Sequence, residues 1–139
     1  MRNSAVFIDT FHWIAEINQR DEFHDRCVSA REGLRGRRLV TSEEVLSELL
    51  DFLSGYGPLM RAAAVLTIRA IVEDPSILVV EQSHASFDAA LDLYDRRPDK
   101  RYSMTDCSSM SLLKSRGILD VLTNDRHFEQ EGFKALLSD

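Results

Sequence analysis

Four acidic residues of this chain, Asp9, Glu48, Asp106 and Asp125, occupy places from which an α/β fold would gather them at one end of a sheet. Asp9 ends the apolar run Ala5-Val6-Phe7-Ile8, and Asp125 comes two positions after Val121-Leu122-Thr123. Ligands of parallel α/β folds bind beyond the carboxyl ends of the strands, where both would lie. Asp106 falls in the first turn of a predicted helix, on the stripe of Met110 and Leu113. A carboxylate there costs free energy unless something pairs with it, although the helix macrodipole favours its charge. Glu48 borders the stripe Val45, Leu46, Leu49, Leu50 and Leu53 on one side and Glu43 borders it on the other, so periodicity leaves the two open. Any one of these acids alone is most simply a solvated or capping carboxylate. Four of them brought together repel one another unless a divalent ion lies between them. Hard oxygen donors, with no His or Cys cluster competing, suit Mg²⁺ or Mn²⁺. Such ions activate water and neutralise a leaving oxygen, which is the chemistry of phosphodiester hydrolysis.

The elements that must position these acids are legible in the apolar pattern. Residues 4–8, Ile77-Leu78-Val79-Val80 and residues 118–123 are continuous apolar runs, with Arg38-Leu39-Val40 a weaker one. Runs of this kind suit strands of a parallel sheet covered on both faces. Helical stretches separate them, at residues 10–18, 21–33, 83–95 and from Ser103 to a stop at Gly117. Thr41-Ser42-Glu43-Glu44 reads as a capping box with Thr41 as the N-cap and Glu44 reaching back, opening a helix that runs to Leu53. Gly55-Tyr56-Gly57 breaks that helix and Pro58 opens the next, which extends to Glu73. This second helix is apolar nearly all round, through Ala62, Val65, Leu66, Ile68, Ile71 and Val72. It is therefore either buried in the monomer or part of a subunit interface. A short turn or helix near Phe128 and a last strand over residues 133–136 complete the chain. The alternation predicts a three-layer α/β/α sandwich with a mostly parallel central sheet.

At 139 residues one compact domain is expected. The balance of 23 acids against 17 bases, a net charge of -6, argues against a protein that simply coats nucleic acid. It does not exclude a nuclease, because acids committed to metal ions account for much of the excess, and 14 of the 17 bases are Arg, which grips phosphate in bidentate fashion. Cys27 and Cys107 form neither a disulfide framework nor a zinc pattern and read as buried thiols of a reducing compartment. The first apolar run is too short for a signal peptide, and no stretch approaches the length of a membrane span. A cytoplasmic protein with no membrane association is expected.

Several stretches resemble, in order, the successive motifs of PIN-domain ribonucleases. They are Val6-Phe7-Ile8-Asp9-Thr10, Thr41-Ser42 with Glu48-Leu49, Ser103-Met104-Thr105-Asp106, and Leu122-Thr123-Asn124-Asp125-Arg126-His127-Phe128. Each motif is weak alone, whereas four in order at suitable spacing are specific. The closing stretch through Glu131-Gly132-Phe133 is similar to that of small prokaryotic members, many of them toxins of VapBC toxin–antitoxin systems. The resemblance covers nearly the whole chain and implies one PIN-like domain over residues 1–139. It also favours Glu48 over Glu43. By the same resemblance, Asp9, Glu48, Asp106 and Asp125 would hold one or two Mg²⁺ or Mn²⁺ ions. Thr10, Ser103, Thr105 and Asn124 would orient carboxylates or water. The implied activity is endoribonucleolytic hydrolysis leaving a 5′-phosphate and a 3′-hydroxyl. The implied partners are an RNA substrate, a cognate antitoxin and a second copy of the chain.

Two basic clusters are candidates for guiding an RNA backbone. Arg96, Arg97, Lys100 and Arg101 directly precede Ser103 and Asp106 and are expected to do so, whereas Arg35, Arg37 and Arg38 read as a solvated loop. His127 reads as packing beside Phe128 rather than as a group of the site. The pattern of a haloacid-dehalogenase-type phosphotransferase is not matched, since its second Asp would fall at Phe11. Two other readings stay open, a free-standing RNA-processing nuclease and a noncatalytic RNA- or protein-binding scaffold.

Overall fold

The computed structural model describes residues 5–138, so Ser4, expected to begin the first strand, lies outside the described residues. Five strands, β1 (Val6–Ile8), β2 (Leu39–Ser42), β3 (Ile77–Val80), β4 (Asp120–Leu122) and β5 (Lys134–Ala135), form one sheet in the order β3-β2-β1-β4-β5. Every pairing is parallel, so all carboxyl ends point the same way. The register sets Ile8 beside Leu122, which brings the residues just past β1 and β4 side by side. The strand order runs outward through β1, β2 and β3 and then reverses to β4, making β1/β4 the topological switch point.

The connections carry α1 (Thr10–Ile17), α2 (His24–Glu32), α3 (Glu43–Leu53) and α4 (Pro58–Glu73), then α5 (His84–Arg96), α6 (Met104–Arg116) and α7 (Arg126–Gln130). Right-handed crossovers put the helices of the outward leg on one face and α5 and α6 on the other, giving the expected three layers. The central strand is sealed on both sides, with Val6, Phe7 and Ile8 fully buried, as its unbroken apolar run requires. Trp13 of α1, Leu49 of α3, and Met110 and Leu113 of α6 pack into the same core.

The cap of α3 departs from the expected capping box. Ser42, not Thr41, is the N-cap, its Oγ accepting from the Val45 amide at 3.1 Å. Thr41 is not free to cap, because β2 extends through Ser42 and the buried Thr41 hydroxyl is spent inside the fold. It donates to the Ile8 carbonyl at 2.9 Å and accepts from Trp13 Nε1 at 3.2 Å. Glu44 likewise points to Ser86 rather than back to the cap. Helix α4 is not enclosed by the monomer. Only Ala64 and Ile71 are buried, while Leu59 is 87% and Leu66 69% exposed. Of the two readings of this apolar helix, burial within one chain therefore fails.

Candidate active site

The four sequence-predicted acids meet at the carboxyl edge of β1 and β4. Asp9 directly follows β1 at the N-cap position of α1, but its carboxylate makes no capping bond and is left to face the cluster. Thr123, one residue past β4, donates its hydroxyl to Asp9 Oδ2 at 3.0 Å and accepts from the Asp125 amide at 3.1 Å. One buried hydroxyl thus spaces two of the acids. Glu48 reaches in from α3, where Thr10 Oγ1 donates to its Oε1 at 2.5 Å. Glu43, the other candidate, is exposed and accepts from the Gln82 amide. Asp106 sits in the first turn of α6 in a reciprocal capping box. Its amide donates to Ser103 Oγ at 3.0 Å, and its Oδ2 accepts from the Ser103 amide at 3.1 Å.

His127 was expected to be packing, and there the structure differs. Its Nδ1 lies 3.3 Å from Asp106 Oδ2 and 3.4 Å from Asp125 Oδ1, so the imidazole stands between two of the acids. It lies in the short helix α7, which packs against α6, and its own amide donates to Asp125 Oδ1 at 2.9 Å. The absence of a nearby histidine, on which the all-oxygen reading relied, does not hold. Thr123 was also missed as a supporting group, since at the end of an apolar run it looks like one more strand residue. Of the supporting residues named from sequence, Thr10 and Ser103 bond a carboxylate of the cluster. Among the described residues no hydrogen bond joins Thr105 or Asn124 to the four acids.

The electrostatics are those of crowded, under-compensated charge. Burial, then the negative charge of Asp106, pushes the Asp9 carboxyl up to about 7, and Glu48 adds to the rise against the bonds from Thr10 and Thr123. Asp106 is also raised, chiefly by burial and then by Asp125, with the Ser103 amide and His127 opposing. Among the described residues no Lys or Arg pairs with any of the four acids. The donor set therefore fits a divalent cation, since hard anionic oxygens lacking a cation of their own are what Mg²⁺ and Mn²⁺ seek.

The basic residues expected near RNA divide. Arg97 is committed inside the protein, donating through Nε and Nη2 to the two oxygens of Glu131 at 3.1 and 2.8 Å. Arg96 pairs with Asp92 on the surface of α5. Lys100 and Arg101 line a cavity of about 310 Å³ with Tyr94, Pro98 and Tyr102, beside the loop that leads to Ser103.

An all-parallel α/β/α sandwich with carboxylates at its switch point defines the class of fold. The chain belongs to the PIN domain family, whose match spans residues 6–134. Among solved structures it is similar to the sarcin–ricin-loop-cleaving toxin VapC20 of Mycobacterium tuberculosis, with a TM-score of 0.84 at 22% identity, covering 94% of this chain and 98% of that one. It also resembles VapBC2 of Rickettsia felis bound to a promoter DNA fragment, with a TM-score of 0.68 at 14% identity over 92% and 93% of the chains. FitAcB of Neisseria gonorrhoeae gives a TM-score of 0.65 at 13% identity over 94% and 95%. At these identities the likeness is one of fold. No curated protein matches the chain in sequence.

Proposed function

We propose that this protein is a Mg²⁺- or Mn²⁺-dependent endoribonuclease and the toxin of a toxin–antitoxin pair. The observation that carries the reading is the gathering of Asp9, Glu48, Asp106 and Asp125 at the switch point with, among the described residues, no Lys or Arg paired to them. PIN family membership and the fold shared with a toxin that cleaves the sarcin–ricin loop support it. Asp9, Glu48, Asp106 and Asp125 would hold one or two ions. When bound, such an ion supplies Lewis-acid stabilisation of developing negative charge and a lowered pKa for water.

The chain's own residues would do the positioning. Thr10 holds Glu48, Thr123 spaces Asp9 from Asp125, and the Ser103 amide fixes one oxygen of Asp106. Burial of Asp9 keeps bulk water from screening the charge it presents. Lys100 and Arg101 would draw the phosphate backbone toward the cluster, and Arg96 would add charge at the rim. Arg97 would take part only through the loop it braces. Hydrolysis breaks the P–O3′ bond and leaves a 5′-phosphate. A homodimer and a cognate antitoxin are part of the same reading, the exposed apolar face of α4 being the surface a protein partner would cover. No helix among the described residues is long and apolar enough to cross a membrane; we place the protein in the cytoplasm.

Cleavage of a cellular RNA pool and of an isolated sarcin–ricin-loop RNA, with and without Mn²⁺, tests this reading. Wild type should cut only with the ion, and Asp9→Asn should lose on the order of a thousand-fold in rate, about 4 kcal/mol of barrier. Equal cleavage by the folded variant would refute the assignment. A scaffold that only binds RNA would neither take up Mn²⁺ at the cluster nor cut.

A further inference from the structure

We propose that His127 is itself a ligand of the bound ion, joining Asp106 and Asp125 through Nδ1, and that this nitrogen gives the site a preference for Mn²⁺ over Mg²⁺. The inference rests on the metal-dependent reading above and narrows it to one donor and one ion. One ligand atom from each of Asp106, Asp125 and His127 lies within 4.8 Å of the other two. The nitrogen-to-oxygen separations of 3.3 and 3.4 Å are close to those of neighbouring donors on an octahedral ion, about 3 Å for bonds of roughly 2.1 Å.

The ring is held for this role. It packs edge-on against the buried Tyr102, with centroids 5.4 Å apart and planes at 62°. The Tyr102 hydroxyl in turn donates to Glu131 at 2.9 Å, and Glu131 is gripped by Arg97. A rigid aromatic wall anchored by an ion pair is the kind of support that orients a metal-binding imidazole. The His127 amide meanwhile fixes Asp125 Oδ1, so one residue sets both its own donor and its neighbour's.

The nitrogen matters for selectivity. Mg²⁺ takes oxygen donors in near-ideal octahedral geometry and gains little from imidazole, whereas Mn²⁺ stands above it in readiness to accept nitrogen. The other histidines are engaged elsewhere. His12 pairs with Glu16, His24 contacts the Ala15 carbonyl, and His84 faces Asp88 on the surface. A histidine nitrogen found on the ion therefore comes from His127.

Pulsed electron paramagnetic resonance of Mn²⁺ bound to the full chain reads this directly. Wild type should show imidazole nitrogen coupling that His127→Gln lacks. Isotopic labelling of histidine nitrogen in wild type gives the same answer without a substitution, should the variant not fold. By calorimetry, His127→Gln should bind Mn²⁺ about tenfold more weakly. Its Mg²⁺ affinity should change less than about threefold, so the preference for Mn²⁺ falls. Tight Mn²⁺ binding through oxygen alone, or an unchanged Mn²⁺/Mg²⁺ ratio in the variant, overturns the role of His127 and leaves the nuclease reading standing. No Mn²⁺ binding by wild type would overturn both.

Discussion

Asp9 and Glu131 are both carboxylates withdrawn from water, and the fold treats them in opposite ways. Glu131 has a side chain only 5% exposed, yet it receives two bonds from Arg97, one from Tyr102 and one from Lys114. Arg97 first, with Tyr102 and Lys114 adding to it against burial, holds its carboxyl down to about 2. Asp9 receives a hydroxyl and an amide but, among the described residues, no cation, and its carboxyl is pushed up to about 7. The chain can evidently build a complete cationic cage for a buried acid. It does so where the acid braces the loop before α6 and withholds it where four acids converge. An acid left short of positive charge by a fold able to provide it marks the place where charge must come from outside.

The contrast can be tested from each side. Glu131→Ala strands Arg97, leaves Tyr102 without its acceptor and unseats the wall behind His127. The expected cost is roughly 3 kcal/mol of stability, at the low end for a broken pair because Arg97 keeps some solvent contact. Urea denaturation measures it, and a loss below about 0.5 kcal/mol would mean the cage contributes no more than a surface pair.

The second test is pH. An acid whose folded pKa lies above its unfolded value is favoured by folding in its protonated form, so its contribution falls as pH rises from 3.8 through 7. Metal-free protein should therefore lose roughly 2 to 3 kcal/mol between pH 5 and pH 8 from Asp9, with Asp106 acting in the same direction. Saturating Mn²⁺ should flatten that slope, and Asp9→Asn should remove most of it. Glu131 carries the reverse sign. Its contribution is complete above 4.5 and is lost only as pH falls toward about 2. Stability that rose between pH 5 and 8 in the metal-free chain would contradict the account of Asp9.

The smallest expected effect comes from Thr123→Val, which keeps the shape and deletes the hydroxyl between Asp9 and Asp125. A rate loss of about tenfold, near 1.4 kcal/mol, is expected with the fold intact. Unchanged cleavage would show that the spacing of these two acids does not depend on that hydroxyl.

Much of the fold could be read from the chain because the central strands are buried on both faces and so appear as unbroken apolar runs, with β2 the weakest of them. Asp9, Asp106 and Asp125 were legible because strand ends and helix starts are marked locally. Glu48 was not separable from Glu43 by periodicity, since both flank one stripe. What divides them is three-dimensional, Glu48 meeting Thr10 of α1 and Glu43 meeting the Gln82 amide past β3. Thr41 and Ser42 are both good caps, and the pairing of Ser42 with Val80 decides between them. Arg97 looked like a free base of a charged loop because its partner lies 34 positions further on. Thr123 and His127 were hidden for the same reason, the meaning of Thr123 depending on β4 lying next to β1 and that of His127 on α7 lying against α6.

Helix α3 has neighbours of quite different kinds. Its inner stripe is anchored in the core, Glu48 leans on α1, and its flank is the surface on which α4 rests. Because α4 turns Leu59 and Leu66 outward, anything that settles on that side presses on a support shared with the acids. The path from that outer apolar face to Glu48 runs through two packed helices, α4 and then α3.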